Sequence, residues 1–210
     1  MRYLFISFIF AASLFPQHSK LYNAVEYISK YVASDYFKNL SKNNSDIQLI
    51  DSIYVHQLKY QNYDYSETLL ALTFALVPVR KVPIKFPLIN RINYPLVSVA
   101  DSIFNLKNKH LPKDIFGDTP QNNFGDKDKL AHFFGSAFIS YSLNIFDFVD
   151  LIGYFVEVFE ENFKIQSSID KRDMMTNSLG NLFGKMLKEN KNILPSQILI
   201  TNTLILFRFN

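Results

Sequence analysis

Apolar positions recur along this chain at two spacings, and the spacings divide it into elements. Leu21, Val25, Ile28, Val32 and Tyr36 return every three or four residues, which predicts a helix over 20–43, ended by "KNNSD". In "DIQLIDSIYVHQLKY" the alternation at Ile53, Val55 and Gln57 predicts a strand. Asp64, with Glu67 three positions on, resembles a capping box opening "ETLLALTFALV". That segment is apolar on every side and too short to span a bilayer, so it is expected as a buried helix. Four of the eight prolines then fall between Pro78 and Pro95, with Val82, Ile84 and Phe86 alternating around them. Proline cannot donate to a ladder, so strands here belong at an edge or in extended arms. Residues 96–125, with Pro112, Gly117, Pro120 and Gly125, read as a long irregular connector. Three helices follow in quick succession. The last stretch, "ILPSQILITNTLILFRF", is open between helix and strand. The expected fold is mainly α with a minor β part: a mixed helix/strand segment over 19–125, then a helical unit over 126–210.

Those three helices carry narrow polar stripes on apolar bodies. At about 100° per residue, Asp128, His132, Ser136, Ser140 and Asn144 trace one slow diagonal, with Leu130, Phe133, Phe134, Ala137, Phe138 and Tyr141 around it. In "FDFVDLIGYFVEVFEENF", Asp150, Gly153, Glu157, Glu160 and Glu161 fall within an arc of about 100°. In "DKRDMMTNSLGNLFGKML", Asp173, Asn177, Gly180 and Gly184 share a face. A surface helix of a soluble protein shows the reverse arrangement, an apolar stripe on a polar body. Stripes of this kind suit helices embedded among others, with acids turned to a shared interior, or helices in contact with lipid. Two glycines in one helical face, each costing about 1 kcal/mol relative to alanine, suggest close approach of another backbone. Plainer roles compete: Asp128 and Asp173 fall where first-turn acids and caps occur, and Glu160 and Glu161 where a helix end is solvated. Capping does not account for His132 or Asn177, each a turn further in. His18, His56 and His110 lie outside this region and receive no role.

Composition narrows the chemistry. The 210 residues include no cysteine, which excludes disulfides, thiolate metal sites and a cysteine nucleophile. The formal charge of +3 is spread out, without the basic run of a nucleic-acid binder, so nucleic acid is not an expected partner. Arg2 followed by an apolar stretch from Tyr3 to Phe15 and the small residues Ala11, Ala12 and Ser13 has the layout of a secretory signal over residues 1–18. It falls short of the roughly 20 apolar residues of a spanning helix. The expected destination is the periplasm or cell envelope of a bacterium. No serine-hydrolase elbow, phosphate-cradling glycine loop or paired zinc-ligand motif is present.

"DKLAHFFGSAFIS", "GYFVEVFE" and "SSIDKRDMMTNSLGNLFG" together resemble the YfiM-type periplasmic lipoproteins and, more distantly, the VanZ-like proteins. The shared elements are Asp-Lys, two residues and His-Phe near a helix start; a Gly preceding a Glu; and an Asp, a polar residue one turn on, and spaced glycines. The resemblance covers about residues 126–188. It implies a VanZ/YfiM-like helical bundle and points to Asp128, Lys129, His132, Glu157, Glu160, Asp173 and Asn177 as a polar cluster, with Phe133 as a further matched position and Gly153, Gly180 and Gly184 at helix contacts. The lipid-anchoring cysteine of the YfiM type is absent, and residues 20–125 have no counterpart in it.

Three functions stay open at this point. The cluster of Asp, His, Glu and Asn fixes helix register in a non-enzymatic envelope protein. Alternatively, His132, Glu157, Glu160 and Asp173 hold a divalent metal ion in a hydrolase acting on envelope lipid or phosphate groups, one carboxylate serving as base toward a bound water. Or the apolar helices dock on a membrane surface or on another envelope protein.

Overall fold

Among the described residues, serine opens the first three helices. Ser19 accepts a hydrogen bond from Tyr22 N at the start of α1 (Lys20–Ala33), and Ser34 accepts one from Phe37 N at the start of α2 (Asp35–Leu40). Ser45 and Gln48 form a reciprocal capping box at the start of α3 (Asp46–Tyr60). The computed structural model describes residues 19–86, 89–142 and 171–208, and these are mainly helical. Asp64 caps α4 (Tyr65–Ala75) by accepting from Glu67 N at 3.0 Å. Further on come α5 (Asp101–His110), α6 (Lys127–Ser142), α7 (Lys171–Glu189) and α8 (Pro195–Arg208).

Three expectations from periodicity change here. The single helix over 20–43 is two, because Ser34 takes extended backbone angles and its side chain caps the next helix. The strand expected around Ile53–Gln57 is helix α3: Leu49, Ile50, Ile53, Tyr54, Gln57 and Leu58 are buried at helical spacing, and Ile53 and Gln57 of the alternation belong to that stripe while Val55 is only half-buried beside it. The connector over 96–125 contains α5, which buries only Phe104 and Lys107, too few positions to register as an apolar period. The ambiguous C-terminal stretch is helical, with Pro195 in the first turn.

The proline-rich stretch forms an antiparallel pair, β1 (Lys81–Phe86) with β2 (Ile89–Pro95), in which Lys81 faces Pro95 and Ile84 faces Ile92. Each strand of a two-stranded ladder keeps an open side, where a missing N–H costs nothing. Leu96 N donates to Arg80 O at 2.9 Å to close the base of the pair.

Buried α4 lies between α1 and α6, as its all-round apolarity demands. α1 also packs on α3 and α5; α6 packs on α7; α8 packs on α3 and α7. One apolar core joins Ile28, Ile53, Leu72, Phe134 and Phe183. Tyr54 meets the Phe183 ring edge-on at 5.5 Å, and Phe133 stacks on Phe183 at 5.4 Å. The C-terminal end of α4 receives a buried lysine: Lys107 donates to Ala75 O (2.6 Å) and Val77 O (3.0 Å) and lies 4.6 Å from the Phe104 ring centre. Burial, and secondarily the charge of Arg80, push its ammonium pKa down to about 7. No helix among the described residues is long and apolar enough to cross a membrane.

Candidate functional site

The diagonal polar line of α6 and the mixed polar and glycine face of α7 meet. Asp173 and Asn177 of α7 lie against Lys129, His132 and Ser136 of α6; further along, a Cβ on Gly180 would come within 3.0 Å of Ser136 Cβ, and one on Gly184 within 3.1 Å of the Ala137 carbonyl carbon. The pairing climbs both helices in the same direction, so α6 and α7 run parallel. Their N-termini therefore lie together, with Asp128 and Asp173 each in a first turn, where the helix dipole favours a carboxylate.

Glycine is what permits the close approach. At both positions the added Cβ would also press inside contact distance of α6 carbonyl oxygens, those of Phe133 and Ala137. The tight contact at the glycine end holds the polar side chains of the other end within hydrogen-bonding reach across the same interface.

Lys129 is the centre of that polar end. Its side chain is 5% exposed, and its ammonium donates to Asp128 Oδ2 at 2.8 Å and to Asp173 Oδ1. Burial on its own would lower the ammonium pKa; the hydrogen bonds and charges of Asp128 and Asp173 outweigh it and hold the group above the ordinary lysine value. His132 Nε2 lies 3.7 Å from Asp173 Oδ1, and Nδ1 is 3.3 Å from Asn177 Oδ1, which also accepts from Ser136 Oγ at 3.1 Å. Both ring nitrogens thus face acceptor oxygens, Nδ1 the amide oxygen of Asn177 and Nε2 the carboxylate of Asp173. Burial lowers the His132 pKa, Asp173 pulls against that, and Lys129 adds to the lowering; the net effect favours the neutral ring. One ligand atom each from Asp128, His132 and Asp173 lies within 4.8 Å of the other two, a spacing one divalent cation can bridge.

A second ion network adjoins the first and has no forerunner in the periodicity. Asp126, fully buried just before α6, accepts from Arg172 at 2.5 Å, from Thr119 Oγ1, and from the Ile115 and Phe116 amides at 3.4 and 3.3 Å. Arg172 also reaches Asp118 at 3.2 Å. Asp126 and Arg172 neighbour Asp128 and Asp173 in sequence, and their only prior signal is local: "NNFGD", where Asn122 Oδ1 accepts from the amides of Phe124 and Gly125. Gly125 takes a φ of +54°, and a Cβ there would lie 2.5 Å from Lys113 O.

The structure thus brings Asp128, Lys129, His132, Asp173 and Asn177 together and places Gly180 and Gly184 at the α6–α7 contact. Gly153, Glu157 and Glu160, with Asn144, Asp150 and Glu161, lie outside the described residues, as does the 1–18 segment. The serines of the stripe serve packing: Ser140 donates to Ala137 O at 3.2 Å and Ser136 to Asn177. His110 sits elsewhere, with Nδ1 on Val32 O at 3.0 Å. In comparison with known proteins, the chain matches no family model, no curated protein and no solved structure.

Proposed function

We propose that this chain is an exported protein of the bacterial envelope in which the Asp128/Lys129/His132/Asp173/Asn177 cluster is an interhelical clamp, and that the clamped helices form a bundle of the VanZ- or YfiM-like kind, with the proline-rich strands as a minor β part. The N-terminal layout of basic residue, apolar stretch and small residues supports export, and the three sequence segments resembling those families support the bundle. One observation carries the clamp: the buried ammonium of Lys129 joins an acid of its own helix to an acid of α7. A charge so placed is satisfied in one helix arrangement and stranded in others, which is how a buried ionic group specifies register. A rigid bundle of this kind would present its outer faces to a membrane surface or to another envelope protein.

A second reading rests on the spacing of Asp128, His132 and Asp173. These would hold a divalent ion for hydrolysis at lipid or phosphate groups, with Glu157 and Glu160 as further ligands. Lys129 weighs against it, since its ammonium already engages both carboxylates.

Thermal unfolding and metal content of the purified chain separate the two. The clamp predicts a metal-free protein whose midpoint is indifferent to chelator and falls sharply in Lys129→Met. One bound metal per chain, with a midpoint lowered by chelator and restored by zinc or manganese, would establish the second reading instead. An unchanged midpoint in Lys129→Met removes the clamp. Fractionation of cells expressing the full chain tests export: retention of all of it in the cytoplasm contradicts that part.

A further inference from the structure

Two aromatic pairs at four-residue spacing, Tyr27 and Tyr31 on α1 and His56 and Tyr60 on α3, interleave into one column. Tyr31 stacks on His56 at 3.7 Å between centres, His56 on Tyr27 at 5.1 Å, and Tyr27 on Tyr60 at 3.9 Å, all within 14° of parallel. Beside the column opens a groove of about 720 Å³, within the roughly 300–1,000 Å³ range of small-molecule clefts. The column rings turn their faces on one another, so they offer a ligand their edges: phenol hydroxyls and imidazole nitrogens. Ser52, bonded to the Tyr31 hydroxyl at 2.7 Å, adds another hydroxyl. Tyr36, 67% exposed and tilted 43° to Tyr31, leaves an open ring face at the rim.

The charge of the groove has one sign. Lys30 and Lys59 line it, and no carboxylate does. Lys30 is held by Glu26 at 3.0 Å one turn back; Lys59 makes no ion pair among the described residues. Burial, then the charge of Lys59, lowers the His56 pKa, and burial raises that of Tyr31, so both rings are neutral near pH 7 and contribute hydrogen bonds without charge.

We propose that this groove binds an anionic saccharide, a sugar ring or short glycan bearing carboxylate or phosphate groups. Sugar hydroxyls match the row of ring edges and Ser52, a C–H face matches the open ring of Tyr36, and the acidic substituent matches Lys59. The inference is independent of the α6–α7 cluster and of export.

The test uses the full chain titrated with trigalacturonate, with maltotriose as the uncharged counterpart, and with inorganic phosphate alone. Tyrosine emission reports binding directly, since the chain has no tryptophan. His56 ring resonances locate it. Trigalacturonate is expected to bind and to shift His56; Lys59→Gln weakens it by about tenfold or more and leaves maltotriose unchanged; Tyr36→Ala weakens both sugars. Both substituted positions are exposed, so the unfolding midpoint is expected to hold, and Lys59→Gln decides if the tyrosine variant is destabilised. Absence of trigalacturonate binding, binding that survives Lys59→Gln, or equal binding of phosphate alone each overturns the proposal.

Discussion

Lys129 and Asp173 lie 44 residues apart in sequence and share a buried ion pair at the joined N-termini of α6 and α7. The pair sets an acid from one helix against a base from the other at the end where both dipoles are positive. The carboxylates gain from those dipoles; the ammonium is tolerated there only because Asp128 and Asp173 surround it.

Replacing Lys129 with methionine keeps the packing volume and removes the cation. Asp128 and Asp173 are then left facing each other without their shared partner. Breaking a buried pair from one side costs about 3–5 kcal/mol, so a large fall in the urea midpoint is expected. Adding Asp173→Asn to Lys129→Met should recover part of that loss, because the second change removes the stranded charge. A double variant no more stable than the single one contradicts the pairing.

Gly180→Ala and Gly184→Ala are expected to destabilise, against the preference of helices for alanine of about 1 kcal/mol. Each new methyl meets α6 backbone that cannot swing aside, and forcing the helices apart costs about 1–3 kcal/mol or more. Gly117→Ala is the control: a Cβ there meets nothing within 4 Å. A raised thermal midpoint in either helical variant would falsify the close contact.

His132 makes stability depend on pH in the acid direction. Its folded-state pKa lies below the ordinary 6.5, so between those values the unfolded chain binds a proton that the folded chain does not. The contribution of neutral His132 is therefore complete above pH 6.5 and is lost as pH falls through the folded value. Urea melts from about pH 8 to about pH 5 should show that decline, and His132→Asn should flatten it.

Lys107 acts in a different window. Its folded pKa of about 7 is below the unfolded 10.5. Between the two the unfolded state binds more protons, so stability rises with pH there, by at most about 1.4 kcal/mol per unit. Below pH 7 the buried charge is present in full and so is its cost. Lys107→Met should abolish the rise, read from unfolding midpoints between neutral and alkaline pH.

Part of this was legible in the chain. Asp64 and Glu67 marked the start of α4, and the all-round apolarity of "ETLLALTFALV" marked it as buried, because caps and burial are local or compositional signals. Gly180 and Gly184 on one face announced a backbone contact, because glycine in a helix is costly unless something fills its place. Ile53, Val55 and Gln57 misled, since Ile53 and Gln57 stand one helical turn apart in the buried stripe and the half-buried Val55 between them completes an apparent alternation. The Asp126–Arg172 bond left no trace in spacing: its partners are 46 residues apart, and each reads as an ordinary helix-end charge.

Sequence periodicity, then, settled which faces of α6 and α7 carry polar groups, since a helix converts spacing into direction. It could not say that the two helices run parallel, that Lys129 is the cation their acids share, or that Tyr27, Tyr31, His56 and Tyr60 form one column. Those relations depend on the relative placement of helices distant in the chain, and that placement is set by packing of the whole core, to which every helix contributes and which no single segment encodes.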